Sequence, residues 1–234
     1  MSKQSSLQAV LFDLDGTLLD TAPDMVAALN MLRAEQTKTV MDYSLVRAHV
    51  SNGAVGLVGI GFPGANPERH EFLRRRFLEL YAERLAEETV LFPGMDNVLQ
   101  VLEAAGVPWG VVTNKPAYLT EPLLQRLGLT ARCASVVSGD TLPQRKPHPL
   151  PLLHAAKTIG VDVAHAAYVG DAQRDIEAGR AAGMMTVAAV YGYLPPGDDP
   201  DSWGADHHID DPANLLEILG DLGATEGRSK DATP

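Results

Sequence analysis

The run Val10-Leu11-Phe12-Asp13-Leu14-Asp15-Gly16-Thr17-Leu18-Leu19-Asp20 joins an apolar segment to two acids spaced two residues apart. Ala9 to Phe12 has the continuous apolar character of a buried strand. The carboxylates fall where that strand should end, and Gly16 permits a sharp turn or a close backbone approach. In open α/β sheets, ligands sit at the carboxyl ends of strands. Burying charge there without partners is costly. A divalent cation supplies the missing partner, because hard cations take carboxylate and carbonyl oxygens. Read alone, the same residues also fit a plain acidic turn, since Asp, Gly and Thr are common turn formers.

The rest of the chain separates these readings. Ala22 to Glu35 has helical periodicity in Met25, Val26, Leu29 and Leu32, with Thr21 placed as an N-cap. Tyr43 to Val50 reads as a short helical piece and Ser51-Asn52-Gly53 as a turn. Ala54 to Ile60 reads as a further helix and Gly61 to Pro67 as a loop. Glu68 to Ala86 is expected to be a longer helix anchored by Phe72, Phe77, Leu80 and Tyr81. Its run Arg74-Arg75-Arg76 reads as a solvated face with acidic partners rather than a polyanion site.

After Phe92-Pro93-Gly94 the texture changes, and strands alternate with helices. Helices are expected at Met95 to Ala105, Tyr118 to Leu127, Pro149 to Ile159, Asp175 to Ala182 and Asn214 to Leu219. Strands are expected at Val107 to Thr113, Ala134 to Val137, Ala166 to Val169, Thr186 to Val190 and around His208-Ile209. Repeated strand–helix units imply an α/β fold, with a doubly wound parallel sheet covered by helices on both faces. The first strand belongs to that sheet, so the helical segment after it is an inserted second domain lying over the acids. The expected division is residues 1–20 and 89–222 for the sheet domain, 21–88 for the helical domain and 223–234 for a disordered tail.

Composition narrows the function. The chain has 234 residues, a formal net charge of −11 and 45% hydrophobic residues. That balance disfavours a broad nucleic-acid surface. An anionic substrate then needs a local positive site made of a metal, a lysine or helix N-termini. Cys133 is the single cysteine and reads as a small buried residue. Met1 to Ser6 is polar and leads into no apolar h-region, so no signal peptide is expected. No apolar run approaches a membrane span. A soluble cytoplasmic protein, monomeric or homodimeric, is the expectation.

Four segments carry chemistry: Asp13 and Asp15; Thr113 and Asn114 in Gly110-Val111-Val112-Thr113-Asn114-Lys115-Pro116; Lys146 in Arg145-Lys146-Pro147-His148-Pro149; and Asp171 and Asp175 in Gly170-Asp171-Ala172-Gln173-Arg174-Asp175. Three of them follow apolar strands directly, and in a parallel sheet those ends share one edge. In this order the segments resemble the haloacid dehalogenase superfamily, whose pattern is Asp-x-Asp-x-Thr, then Ser/Thr, then Lys, then an acidic pair. The resemblance runs from about Leu7 to Leu219, and the helical insertion is similar to the cap of the phosphoglycolate phosphatase-like branch.

That resemblance implies a Rossmann-like core and Mg²⁺-dependent hydrolysis of a small phosphorylated metabolite. Asp13 would be the nucleophile, forming an aspartyl-phosphate. Asp15 would protonate the leaving alkoxide and then take a proton from water. Asp13, Asp171 and the backbone carbonyl of Asp15 would hold Mg²⁺, with Asp175 in support. Thr113 and the N–H groups after it, Asn114 included, would bind phosphate oxygens. Lys146 would offset charge between Asp13 and the phosphate. Dehalogenases of the superfamily lack the second acid, so Asp15 favours phosphate chemistry; a phosphomutase shares all four motifs. Asp20 and Glu88 would lie near the cap hinges.

For the substrate, His49, Ser51 and Asn52 sit where related phosphatases carry a substrate-contacting loop; a simple helix–helix turn fits the same residues. Gly110 to Pro116, Tyr191-Gly192-Tyr193 and Asp199 to Asp206 resemble the N-acetylmuramic acid 6-phosphate phosphatases of peptidoglycan recycling. Asp140 to Pro143 and Arg145 to Pro149 look more like the phosphoglycolate branch, and Ala172 stands where an acid is common. A receiver-domain phosphorylation switch shares part of the acidic cluster but has neither the helical insertion nor Asp-x-Asp-x-Thr. A degenerate, binding-only member would have lost one of Asp13, Asp15, Lys146 or Asp171, and all are present.

Overall fold

A computed structural model describes residues 7–220. The expected tail at 223–234 lies outside the described residues. Strand β1 (Ala9–Phe12) is fully buried and central. A two-residue strand β2 (Leu19–Asp20) follows, then helices α1 (Ala22–Glu35), α2 (Tyr43–Arg47), α3 (Gly53–Gly61) and α4 (Pro67–Glu83), then β3 (Val90–Leu91). The alternating part comprises α5 (Met95–Ala104), β4 (Trp109–Val112), α6 (Ala117–Arg126), β5 (Ser135–Val137), α7 (Leu150–Ile159), β6 (Ala166–Gly170), α8 (Gln173–Ala182), β7 (Met185–Ala189), β8 (His207–Ile209) and α9 (Asn214–Leu219).

The main sheet has the order β5-β4-β1-β6-β7-β8, and every pairing in it is parallel. The chain steps one way from β1 to β4 and β5, then crosses back to β6 on the other side of β1. The carboxyl end of β1 is therefore the switch point, where such sheets bind ligands. Alternate residues of β1 face opposite layers. Val10 and Phe12 join the apolar cluster with Trp109, Val98 and Leu102, and the Phe12 and Trp109 rings meet edge-on at 6.5 Å. Ala9 and Leu11 pack with Tyr168, Val112 and Leu152 on the other face.

Several local expectations need correction. The Phe72 anchor is 48% exposed and lies under the Arg69 guanidinium, while Leu73 takes the buried place at 1%. The apolar stripe of α4 is Leu73, Phe77, Leu80 and Tyr81, which is one helical face. Thr21 is not a side-chain cap; its hydroxyl donates to Asp15 instead. The expected helical piece ending at Val50 stops at Arg47, and Val50–Asn52 forms a 3₁₀ turn before Gly53 opens α3. The chain leaves for the helical segment and returns through an antiparallel pair, β2–β3, that the sequence pattern does not show. Two-residue strands show no periodicity to read.

Candidate active site at the switch point

The site grows from the carboxyl ends of β1, β4 and β6. Beyond β1, the Asp13 backbone N–H continues the pairing to Val169 O at 2.9 Å, which fixes the side chain of Asp13 at the sheet edge. Asp13 Oδ1 accepts from Leu14 N at 2.7 Å and pairs with Lys146 Nζ at 2.8 Å. The same ammonium reaches Asp175 Oδ1 at 2.7 Å and donates to Tyr168 Oη at 2.7 Å. Lys146 is 3% exposed, so one buried cation links two buried acids. Its loop is held by the Asn114 amide, which donates to Lys146 O at 3.0 Å and accepts from Lys146 N at 3.1 Å. Asn114 thus lines the cavity with its side-chain amide committed to the lysine loop.

Asp171, just past β6, is 1% exposed. Its Oδ2 accepts from Tyr193 N at 2.9 Å and from Ser51 Oγ, in the helical segment, at 2.6 Å. Its Oδ1 is buried with no partner among the described residues. Burial, then the charges of Asp13 and Asp175, push its carboxyl up to about 7. Burial likewise raises Asp175, with Lys146 opposing. Gly16 has φ +86°, and a Cβ there would stand 2.0 Å from Asp171 Oδ2, so glycine is required on both counts.

Asp13, Asp171 and Asp175 offer carboxylate oxygens that all lie within 4.8 Å of one another. Three clustered acids, an orphaned buried oxygen and an all-oxygen donor set fit a hard divalent cation such as Mg²⁺. Asp15 stands apart from this cluster. Its Oδ1 takes Thr21 Oγ1 at 2.7 Å and Lys115 Nζ at 2.7 Å.

A cavity of about 500 Å³ opens above these groups. Asp13, Asp15, Thr113, Asn114 and Lys146 line its floor, and Met25, Val50, Ala54, Leu78 and Tyr81 of the helical segment line its roof. Ser51 and Asn52 reach the cavity, whereas His49 is not among its lining residues. Arg74 also lines it while chelating Glu71 through two 2.8 Å bonds. Arg75 pairs with Glu71 and Arg76 with Glu35 and Glu79, as a solvated face predicts.

Sequence reasoning gave no role to Lys115, Arg174 or Tyr168. Lys115 follows Thr113-Asn114 directly at a strand end, which was the available signal. Arg174 donates to Ser51 O at 2.7 Å, tying α8 to the helical segment. Tyr168 read as an ordinary buried strand residue. The distal stretch that carried the closer resemblance braces the site: Tyr191 Oη donates to Thr17 O at 2.9 Å, and Tyr193 Oη donates to Asp20 at 2.6 Å.

Comparison with known proteins identifies the family. Residues 10–189 match the model of the haloacid dehalogenase-like hydrolases. Over 210 residues the chain is 48% identical to a phosphoglycolate phosphatase of Xanthomonas campestris pv. campestris, covering 90% of this chain and 95% of that one. Over 215 residues it is 45% identical to the N-acetylmuramic acid 6-phosphate phosphatase of Pseudomonas putida, covering 91% and 96%. A crystal structure described as a predicted phosphoglycolate phosphatase from Haemophilus somnus superposes with a TM-score of 0.82 at 28% identity, covering 93% of this chain and all of that one. The buried acids at the switch point and these relatives lead to one conclusion: the chain belongs to the haloacid dehalogenase-like hydrolase family, and is a phosphoric monoester hydrolase.

Proposed function

We propose that this enzyme hydrolyses N-acetylmuramic acid 6-phosphate through an aspartyl-phosphate intermediate, with Mg²⁺ as cofactor and residues 21–88 acting as a cap over residues 1–20 and 89–222. The observation that carries the substrate choice is the cavity of about 500 Å³, roofed by apolar side chains. Sites of about 300–1,000 Å³ suit ligands of drug size. A phosphorylated amino sugar with its lactyl and acetamido groups fills such a space, and the sugar's apolar faces meet Val50, Ala54 and Leu78. Phosphoglycolate leaves most of it to water. The phosphoglycolate reading is favoured by the 48% identity to the Xanthomonas enzyme.

The residues divide the work as follows. Asp13, with one oxygen held by Leu14 N–H and Lys146, presents the other to phosphorus in line with the ester oxygen. Lys146 and the Thr113 hydroxyl offset charge on the phosphoryl oxygens. Asp15 gives a proton to the departing alkoxide, then takes one from the water that cleaves the acyl-phosphate. Asp13, Asp171 and the Asp15 carbonyl would hold Mg²⁺, with Asp175 in support; when bound, it neutralises phosphate charge and aligns the ester.

Purified enzyme with Mg²⁺, assayed for phosphate release, tests both parts. N-acetylmuramic acid 6-phosphate is expected to exceed phosphoglycolate by at least about tenfold in kcat/KM, the discrimination that about 1.4 kcal/mol of extra contacts provides. Equal, feeble rates on both, or a preference for phosphoglycolate, overturn the substrate choice. Full turnover in excess EDTA overturns the role of the cation.

A further inference from the structure

We propose that Lys115 is a positioning residue for proton transfer, and that it acts by fixing which oxygen of Asp15 faces the substrate. The proposal rests on the reading of Asp15 as proton donor. Two hydrogen-bond donors reach this carboxylate, Lys115 Nζ and Thr21 Oγ1, each at 2.7 Å, and both land on Oδ1. Among the described residues Oδ2 accepts no hydrogen bond from a side chain or the backbone. A proton on Oδ1 would meet two donors, so the carried proton sits on Oδ2. Asp15 lines the cavity, and its side chain keeps 17% of its surface exposed.

Lys115 is built for this task. Its backbone is locked at both ends: its N–H donates to Thr113 Oγ1 at 3.1 Å, and its carbonyl accepts from Gly139 N at 2.8 Å. The side chain is 5% exposed, and Asp15 is its one carboxylate partner among the described residues. The ammonium lies 4.6 Å from the ring centroid of Tyr81, a cation–π arrangement contributed by α4. Tyr81 is itself held by stacking on Phe77, and its hydroxyl has no partner among the described residues. A solvated lysine at this position would swing freely. This one is clamped between the roof of the cavity and the proton donor. Asp15 therefore takes its orientation from both layers at once.

In the step concerned, an Asp13 oxygen forms the bond to phosphorus, the bond from phosphorus to the ester oxygen breaks, and the proton on Asp15 Oδ2 passes to that oxygen, releasing an alcohol. Loss of aim in Asp15 penalises esters whose leaving oxygen needs the proton and spares those whose leaving group departs as a stable anion. The test is a series of substituted phenyl phosphates, with kcat/KM measured in Mg²⁺ for wild type, Lys115→Met, Lys115→Gln and Asp15→Asn. The quantity kcat/KM ends at leaving-group departure, so later hydrolysis of the acyl-phosphate does not enter.

Misaimed general acids lose part of the ~10²–10⁴-fold effect of proton donation. Lys115→Met is accordingly expected to lose about threefold or less with p-nitrophenyl phosphate and about thirtyfold with phenyl phosphate. The ratio of the two losses is independent of the fraction of folded enzyme. Lys115→Gln, which keeps a donor in the slot, is expected to fall between wild type and Lys115→Met. Equal losses on both esters, or none, in the Lys115 variants while Asp15→Asn stays selective overturn the positioning role and leave the reading of Asp15 intact. An Asp15→Asn variant with no leaving-group selectivity overturns the reading of Asp15, and this proposal with it.

Discussion

Asp24 is fully buried in the first turn of α1, yet its work is done on the far end of the helical segment. Its carboxylate accepts from Glu88 N at 3.1 and 3.2 Å, from Thr89 N at 3.0 Å and from Thr89 Oγ1 at 2.6 Å. It therefore ties the returning chain to the start of the helix that left. Asp24→Ala removes the acceptor for three donors, and Thr89, 3% exposed, cannot recover them from water. Hydrogen bonds to charged groups contribute about 1.5–3 kcal/mol each. Glu88 is exposed and resolvates, and the buried carboxylate no longer has to be desolvated, so the net loss is about 3 kcal/mol. For a chain of this size that is a fall of about 6–12 °C in melting temperature. Asp24→Asn keeps an oxygen for Thr89 but turns an NH₂ toward the Glu88 N–H, and is expected to cost about half as much. Circular dichroism melts of the three proteins provide the measurement. A shift below about 2 °C in Asp24→Ala would refute the claim that this carboxylate holds the two crossings together.

Three further outcomes are expected. Asp13→Asn should abolish turnover, by at least about 10³-fold in kcat, while the far-ultraviolet spectrum stays unchanged; retained turnover excludes the covalent route. Leu73→Ala should cost about 2–5 kcal/mol in urea unfolding and Phe72→Ala under about 1 kcal/mol, reversing the ranking by size, because only Leu73 is buried. Burial pushes the Cys133 thiol up to about 11. The thiolate is the reactive form, so alkylation by iodoacetamide at pH 8 should run at least about a hundredfold slower in native enzyme than in enzyme unfolded in urea. Comparable rates would show that the partly buried thiol is not raised in this way.

The parallel sheet was legible because its central strands are short unbroken apolar runs, and α1 because Met25, Val26, Leu29 and Leu32 repeat at the helical period. The residues brought together at the sheet edge were legible for a different reason: Asp13 and Asp171 are polar where an apolar run stops, and Asp175 follows in the first turn of α8. What stayed hidden has physical causes. Pattern cannot separate Phe72 from Leu73, since adjacent apolar residues on a helix differ only by a 100° turn that depends on the partner surface. Lys115 has no role in the sequence reading, and Tyr81 reads there as a core anchor. Their relation spans the cavity, and only the packing of α4 over the end of β4 makes it. Local propensity makes Thr21 a cap, but a tertiary partner, Asp15, takes its hydroxyl instead.

The β2–β3 pair sets Leu19 opposite Leu91 and Asp20 opposite Val90. Paired strands run about 4.8 Å apart, so the two ends of the intervening seventy or so residues are nearly in contact. An excursion that departs and re-enters through neighbouring rungs can be lengthened, shortened or exchanged for another without shifting a single strand of the main sheet. A graft at these two rungs is therefore the natural way to exchange the helical segment while keeping the register of the main sheet.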